Sequence, residues 1–321
     1  MLVDMQLPEL LKYQGRSPKP QDFDAFWERS LAEMAALDPR TEWIPSKFQT
    51  SFAECIDLRY TGMGGSRIHA KFLRPRETAR RSGPAVVFYH GYSGRSADWN
   101  TFLGYVAAGF TVAAMDCRGQ AGTSQDTVPT TGNTYFGQII RGLDDEPEKL
   151  LFRNIYLDAA ELLRIVAAEP YVDEKRIGVT GGSQGGGLTF AAASLFPQVN
   201  RAAAVYPFLS DYRRVWEMDL AKDAYKELKD YFRMFDPRHE REESIWMKLG
   251  YIDIRNLAPR IRGKLLMITG MMDTVCPPST QFAAYNKVTS EKKYILYPDF
   301  GHEYLPEAND IVMQYMFEML A

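Results

Sequence analysis

The chain has 321 residues, of which 45% are hydrophobic and 25% are charged, and its formal net charge is -3. This composition is typical of a soluble globular protein, and the slight acidity argues against nucleic acid or a membrane surface as a partner. No apolar run approaches the roughly 18 residues that a membrane-spanning helix needs, so we expect no membrane association.

The first 45 residues predict an N-terminal extension that contains an amphipathic helix. The chain does not open with a basic segment followed by a long apolar run, so we expect no secretory signal. Apolar side chains recur at helical spacing between Asp22 and Leu37, and the predicted buried stripe consists of Phe23, Phe26, Trp27, Leu31 and Met34. Extended segments around the glycine-rich turn at 62–65 and a polar linker at 77–83 follow.

Buried strands alternate with helices from residue 85 onward. AVVFYHGY and FTVAAMDCRGQ are apolar runs that end in glycine loops, which suits strands buried on both faces of a parallel sheet. Further strands are predicted in RIGVT, AAAVYPF, KLLMITG and KYILYP, and helices in NIYLDAAELLRIVAAEP, LTFAAASLF, STQFAAYNKV and from about Pro306 onward. The alternation predicts a doubly wound, mostly parallel α/β sheet. Between about residues 209 and 262 it lapses, which we interpret as a helical cap inserted over the carboxyl edge of the sheet.

The segment Gly181-Gly182-Ser183-Gln184-Gly185 lies between a predicted strand and a predicted helix and matches the pattern G-x-S-x-G. In such a turn the serine stands at the tip, and the glycines two residues away pass too close to neighbouring backbone to carry a Cβ. A plain glycine-rich turn is one alternative. A dinucleotide-binding turn is another, but it fits poorly because the next strand ends without an acidic residue. The pattern therefore predicts Ser183 as a nucleophile.

A base and an acid follow the later strands of the predicted sheet. His302 in PDFGHEYLP comes after the last strand, and Asp273 in MITGMMDTVCPP comes after the strand before it. The chain order serine, acid, histidine is that of hydrolases with this turn. We predict that Ser183 attacks an acyl carbonyl, that His302 transfers the proton and that Asp273 orients the imidazole. Asp299, three residues before His302, is the rival acid.

Two backbone amides are predicted to stabilise the oxyanion of that reaction. The loop that follows the first core strand begins His90-Gly91-Tyr92, and we expect the Tyr92 amide to be one donor. The residue after the nucleophile, Gln184, supplies the other amide. His90 itself is expected to orient the loop.

The three cysteines, Cys55, Cys117 and Cys276, are widely separated and contain no C-x-x-C pair. This spacing favours reduced thiols over a disulfide framework or a zinc site. We therefore expect a cytoplasmic protein with no metal and no cofactor.

Taken together, these motifs resemble carbohydrate esterase family 7, the acetyl xylan esterases and cephalosporin C deacetylases. The similar features, over nearly the whole chain, are LPEL, DFDAFWE, RGQ, GGSQGGG, GYIDIRNLAPRI, DTVCPPST and HE. The resemblance implies a single α/β-hydrolase domain over residues 1–321, with the N-terminal extension and the cap insertion described above. It also implies a serine esterase that removes acetyl groups from short acetylated saccharides and from cephalosporin C.

By the same resemblance, the family's Ser, Asp and His fall on Ser183, Asp273 and His302. Its oxyanion amides fall on Tyr92 and Gln184. The resemblance further implies a homohexamer, built as a trimer of dimers whose active sites face an inner chamber.

The chain departs from the family pattern after His302-Glu303, where Tyr304-Leu305-Pro306 stands in place of small residues. A bulkier loop at this point leaves the substrate range open. The alternatives are a general small-acyl esterase, a peptidase of the same fold, and a hydrolase fold retained as a non-catalytic binding protein.

Overall fold

The computed structural model describes residues 3–76, 83–132 and 138–321. Within these ranges a sheet of nine strands has the order β1-β2-β3-β5-β4-β6-β7-β8-β9. The strands are β1 Glu42–Pro45, β2 Ala53–Thr61, β3 Arg67–Pro75, β4 Gly83–Tyr89, β5 Thr111–Met115, β6 Val172–Gly182, β7 Arg201–Val205, β8 Lys264–Gly270 and β9 Lys292–Tyr297. The α-helices are α1 Leu7–Leu10, α2 Phe23–Ala35, α3 Leu103–Ala107, α4 Leu151–Ala167, α5 Gln184–Leu195, α6 Tyr212–Glu217, α7 Lys226–Phe235, α8 Glu242–Leu249, α9 Ile254–Leu257, α10 Pro278–Lys287 and α11 Ala308–Phe317.

The strands β4 to β9 form the parallel part of the sheet. Strand β4 pairs in parallel with β5 and β6, and the parallel pairing continues through β7 and β8 to β9. The N-terminal strands β1, β2 and β3 extend the sheet by antiparallel pairing, with β3 next to β5. The predicted doubly wound, mostly parallel sheet is therefore confirmed. Of the predicted linker, residues 77–82 lie outside the described residues, and Gly83 begins β4.

Helices cover both faces of the sheet, which explains the unbroken apolar runs in its strands. On one face α3 and α11 contribute side chains such as Val106 and Val312. On the other face α4, α5 and α10 contribute Leu162, Phe190 and Phe282. All five residues of β5 and of β7 are buried between these two layers.

The predicted N-terminal extension is helical only in part. In α2 the predicted stripe turns inward as expected, with Leu31 only partly buried, and Trp27 Nε1 donates to the carbonyl oxygen of Tyr251 at 3.0 Å. The last residues of the N-terminal extension, however, form β1 at the edge of the sheet. Trp43 packs edge-on against Phe72 there, with ring centroids 4.9 Å apart. Four residues are too few for an alternating pattern to be recognised.

The segment between β7 and β8 contains α6 to α9, where the alternation of strands and helices lapses in the sequence. Its interior is aromatic: Phe208, Tyr212, Tyr225 and Trp246 are fully buried. We call residues 209–262 the cap. No helix among the described residues is both long enough and apolar enough to cross a membrane.

Candidate active site

Ser183 stands between β6 and α5 in a strained backbone conformation, with φ 56° and ψ -119°. Non-glycine residues rarely adopt such angles, and they cluster at functional sites when they do. A Cβ built on Gly181 would lie 2.4 Å from the carbonyl oxygen of Tyr89, and one on Gly185 would lie 2.1 Å from the same atom. The glycines of the motif therefore allow β6 and α5 to pass directly against the end of β4.

Helix α5 begins at Gln184, four residues before the predicted helix LTFAAASLF. Its first turn contains three glycines, which sequence reasoning treats as poor helix formers. The structure gives the reason for two of them. A Cβ on Gly186 would lie 2.8 Å from the oxygen of Val205, and one on Gly187 would lie 2.4 Å from the oxygen of Phe208. Close packing against the chain that follows β7 thus outweighs helix propensity.

The three residues predicted as nucleophile, base and acid lie side by side at the carboxyl edge of the sheet. His302 Nε2 is 3.0 Å from Ser183 Oγ, and His302 Nδ1 is 2.8 Å from Asp273 Oδ2. The carboxylate accepts a hydrogen bond from Nδ1–H, which leaves Nε2 free to accept a hydrogen bond from the serine hydroxyl. This is the hydrogen-bonded arrangement of a serine nucleophile, its base and an orienting acid.

The Asp273 carboxylate is fixed by its own loop. Oδ1 accepts hydrogen bonds from the backbone N–H groups of Val275 and Cys276, both at 2.8 Å, and the side chain is completely buried. Oδ2 therefore remains available to His302. The rival acid Asp299 is exposed, and in the described part of the chain it is Asp273 that reaches the histidine.

Asp273, Cys276 and His302 are also close enough to one another to suggest a metal site, with possible ligand atoms within 4.8 Å. The chemistry of the three groups argues against it. The carboxylate already accepts three hydrogen bonds, one of them from the imidazole. Burial, and then the charge of Asp273, raise the pKa of the Cys276 thiol, which keeps it protonated although a hydrogen bond with Ser183 lowers that pKa. A protonated thiol is a poor metal ligand.

The loop after β4, residues 90–97, passes close to the turn that contains Ser183 and is called the β4 loop. A Cβ built on Gly91 would lie 4.0 Å from the oxygen of Gly182. His90 Nδ1 donates to the oxygen of Gly91 at 2.8 Å, and its Nε2 accepts from the N–H of Cys117 at 2.9 Å. Burial lowers the pKa of His90, in agreement with a neutral ring. His90 therefore ties the loop to the segment after β5.

Of the two predicted oxyanion donors, Gln184 directly follows Ser183 and Tyr92 lies in the β4 loop. Among the described residues, neither the backbone N–H of Tyr92 nor that of Gln184 donates a hydrogen bond. The Gln184 side chain is buried and is held by Gln120, whose Nε2 donates to Gln184 Oε1 at 2.8 Å. Neither backbone N–H therefore has an acceptor in the described part of the chain, which the predicted role requires.

Three further residues of the site are not predicted by sequence reasoning. The ring of Tyr206, directly after β7, packs against that of His302. Cys276 lies beside the serine, and Glu227 of α7 accepts a hydrogen bond from the phenol of Tyr92. Tyr206 and Cys276 follow the ends of predicted strands, so the sequence offers a signal by which they could have been predicted as site residues. Glu227 offers none, because it lies in a charged helix with no strand end near it in the sequence.

The chain is similar over almost its whole length to known acetyl xylan esterases. The family description "Acetyl xylan esterase (AXE1)" matches residues 1–319. Acetyl xylan esterase 1 from Thermoanaerobacterium sp. has a structure that superposes with a TM-score of 0.97 at 56% identity, covering 99% of this chain and 100% of that one. The acetyl xylan esterase from Paenibacillus sp. gives 0.92 at 34% identity, covering 98% and 99%.

A further relative is the acetyl esterase Axe7A of Xylanibacter ruminicola, which is 27% identical over 310 residues. The match covers 94% of this chain and 67% of the relative, so this chain corresponds to about two thirds of that protein. The family match and the two solved structures, by contrast, span almost the entire chain. The chain therefore belongs to the acetyl xylan esterase family and is a serine esterase with the α/β-hydrolase fold.

Proposed function

We propose that Ser183 is the nucleophile of this esterase and that its reaction proceeds through an acetyl-enzyme. Ser183 Oγ bonds to the acetyl carbonyl carbon while its proton passes to His302 Nε2. The oxyanion so formed collapses, the ester C–O bond breaks, and the alcohol leaves with the proton from His302. Asp273 holds the ring and stabilises its charged form. The observation that carries this proposal is the chain of two hydrogen bonds from Ser183 through His302 to Asp273.

Water completes the reaction in the proposed route. His302 takes a proton from water, and the resulting hydroxide attacks the acetyl-enzyme. The ester bond to Ser183 then breaks, His302 returns the proton to Ser183 Oγ, and acetic acid leaves and ionises to acetate in solution. The backbone amides of Tyr92 and Gln184 donate to the oxyanion in both halves of the reaction, since each passes through a tetrahedral intermediate. Every proton and electron pair is exchanged among the substrate, water and these residues, so the route uses neither a metal nor a cofactor.

The proposed substrates are short acetylated saccharides, in particular acetylated xylo-oligosaccharides, with cephalosporin C as a further acetate ester. The names of the relatives support an acetylated sugar, and the proposed mechanism requires only that the acetyl group be recognised. The leaving alcohol is then free to vary. Tyr304, where the chain departs from the family pattern, is 70% exposed and available to contact that alcohol.

We also propose a homohexamer in the cytoplasm. The family resemblance suggests the assembly, and several large apolar side chains near β1 are more than one third exposed, namely Ile44, Phe48 and Phe52. Burial of such side chains between copies stabilises an oligomer. The three cysteines are buried and unpaired, which suits a reducing compartment. Light scattering at micromolar concentration tests the assembly, and a monomer would contradict it.

We further propose that residues 1–321 act as one domain in which the cap covers the site. Contacts between the cap and the β4 loop support this arrangement. The phenol of Tyr92 donates to Glu227 of α7, and the ring of Tyr92 lies edge-on to Phe208, the residue directly before the cap, with centroids 5.6 Å apart.

The substrate proposal is tested by acetate release from acetylated xylo-oligosaccharides, high-molecular-weight acetylated xylan and cephalosporin C. The acetyl concentrations are matched, and the Ser183→Ala variant gives the background. We expect kcat/KM to be highest for the oligosaccharides and measurable for cephalosporin C. Equal or faster release from the polymer would contradict the preference for short substrates.

A further inference from the structure

Glu227 of α7 is a buried carboxyl group at the contact between the cap and the β4 loop. Its side chain is completely buried. Oε1 accepts a hydrogen bond from the phenol of Tyr92. Oε2 accepts from the backbone N–H of Gln138 at 2.6 Å and from that of Ile140 at 3.0 Å. One carboxyl group thus joins three parts of the chain that are far apart in sequence.

Burying the Glu227 carboxyl group at this contact costs free energy. A buried carboxylate loses its hydration, and replacement of buried charges by apolar groups is often neutral or stabilising. Burial raises the pKa of Glu227 from 4.5 to about 7, although hydrogen bonds from Tyr92, Ile140 and Gln138 lower it. Stability alone therefore does not explain a carboxyl group at this position, and the residues that hydrogen-bond to Glu227 indicate its role.

The most informative partner is Tyr92. The Tyr92 hydroxyl donates to Glu227 of the cap, and its ring packs against Phe208, which directly precedes the cap. Its backbone N–H donates to no described residue. The segment that donates to Glu227 also holds the next residue of the loop, because Gln138 Nε2 donates to Ser93 Oγ at 3.0 Å. The β4 loop is therefore fixed at two consecutive residues.

We propose that Glu227 is a positioning residue for the oxyanion hole: through the Tyr92 hydroxyl it sets the direction of the Tyr92 backbone N–H. Glu227 touches neither the substrate nor Ser183. It acts by preventing the β4 loop from rotating when negative charge develops on the carbonyl oxygen. Such a donor stabilises the transition state only when it is directed in advance, and a displacement of about 1 Å costs on the order of 100-fold in rate. The inference rests on the proposed role of Tyr92.

The test uses four variants of the full chain and p-nitrophenyl acetate as substrate. Tyr92→Phe removes only the hydroxyl, and we expect kcat to fall about 10- to 100-fold with KM within about twofold, because the lost interaction acts in the transition state. In Glu227→Gln an amide N–H₂ group faces the Tyr92 hydroxyl and two backbone N–H groups, all of which are donors. We therefore expect kcat to fall at least as much as in Tyr92→Phe. The double variant should be no worse than Glu227→Gln alone, because both changes break the same contact.

Tyr231→Phe is the matched control. Tyr231 lies on the same helix and donates its hydroxyl to a carboxylate, Asp144, at 2.7 Å, and no described contact joins it to the β4 loop. It should keep the wild-type kcat while losing a similar hydrogen bond. The thermal midpoint of every variant is measured alongside, and if Glu227→Gln does not fold, Tyr92→Phe decides.

Wild-type kcat in Tyr92→Phe, or losses that multiply in the double variant, would overturn the role of Glu227. A decrease of the same size in Tyr231→Phe would also overturn it, since the effect would then belong to cap stability. These outcomes differ from failure of the proposed function. If Ser183→Ala is inactive while Tyr92→Phe is unaffected, the nucleophile stands and the positioning role falls.

Discussion

The ring of Tyr206 packs against the imidazole of His302, with ring centroids 4.5 Å apart and planes inclined at 52°. Tyr206 has a positive φ of 34°, which is unfavourable for a bulky residue, and its N–H donates to the oxygen of Ile268 at 2.7 Å. Strained residues of this kind persist where the surrounding structure requires them. We expect the contact to limit rotation of the His302 ring and to keep Nε2 directed at the serine.

Replacement of Tyr206 tests this contact. Tyr206→Ala should lower kcat for p-nitrophenyl acetate roughly 10-fold, because an imidazole that turns freely spends less time in the productive orientation. Tyr206→Phe keeps the ring and should retain nearly the wild-type rate. An alanine variant as active as the wild type would mean that Asp273 alone orients the histidine.

The identity of the acid is tested by replacing each of the two candidate aspartates, Asp273 and Asp299. Asp273→Asn should reduce kcat by about 10⁴, because an amide cannot stabilise the charged imidazole and favours the wrong tautomer. Asp299→Asn, at an exposed position, is the matched control and should change the rate less than about twofold. The reverse order in steady-state assays would assign the acid to Asp299.

The glycines around the nucleophile should differ in their tolerance of a side chain. Gly185→Ala places a Cβ 2.1 Å from the backbone oxygen of Tyr89, so the junction of β4, β6 and α5 must open. We expect a loss of about 2 kcal/mol or more in the free energy of unfolding, together with loss of activity. Gly182→Ala, whose Cβ would lie 3.3 Å from a ring carbon of Tyr206 and not against backbone, should lose less than about 1 kcal/mol. Urea denaturation of both variants measures the difference, and equal stabilities would contradict the packing argument.

Glu161 on α4 should make the protein less stable at neutral pH than at mildly acidic pH. Burial raises its pKa from 4.5 to about 7, although Arg164 lowers it from 3.1 Å away. Because the folded-state pKa is the higher one, the contribution of this group to stability is complete below about pH 4.5. It is lost as the pH rises toward 7, where the unfolded chain has already released the proton.

Replacement of that carboxyl group gives the matching experiment. The amide side chain of the Glu161→Gln variant cannot ionise, so at about pH 8 the variant should be more stable than the wild type. A pKa shift contributes at most roughly 1.4 kcal/mol per unit to the free energy of unfolding, and we expect a difference of about 2 kcal/mol, below that limit. Near pH 5 the two proteins should differ little. Denaturant unfolding at both pH values checks this, and a variant that is less stable at the higher pH would mean that the ion pair with Arg164 dominates.

The elements that carry the chemistry could be read from the sequence, because each follows a strand with a strong apolar signal. Ser183, Asp273 and His302 all come directly after such strands, and parallel strands bring their carboxyl ends to one edge of the sheet. The position of each residue along the chain therefore implied that the three would meet. Once the three residues lie at that edge, His302 is within hydrogen-bonding distance of both Ser183 and Asp273.

Other features depend on contacts between distant segments and could not be read in this way. β1 is too short to show an alternating pattern in the sequence. It forms by pairing with β2, and Trp43 packs there against Phe72 of β3. The early start of α5 depends on backbone that comes close only after folding. Glu227 lies in a charged stretch of the cap and looks like a solvated residue until the fold buries it under the β4 loop.

The proposed role of Ser183 as the nucleophile is tested by kcat of Ser183→Ala with p-nitrophenyl acetate. Alanine removes the attacking oxygen and leaves the oxyanion donors in place. We predict a loss of about 10⁴- to 10⁶-fold, with a thermal midpoint close to that of the wild type. Turnover near the wild-type rate in a folded Ser183→Ala protein would contradict the account.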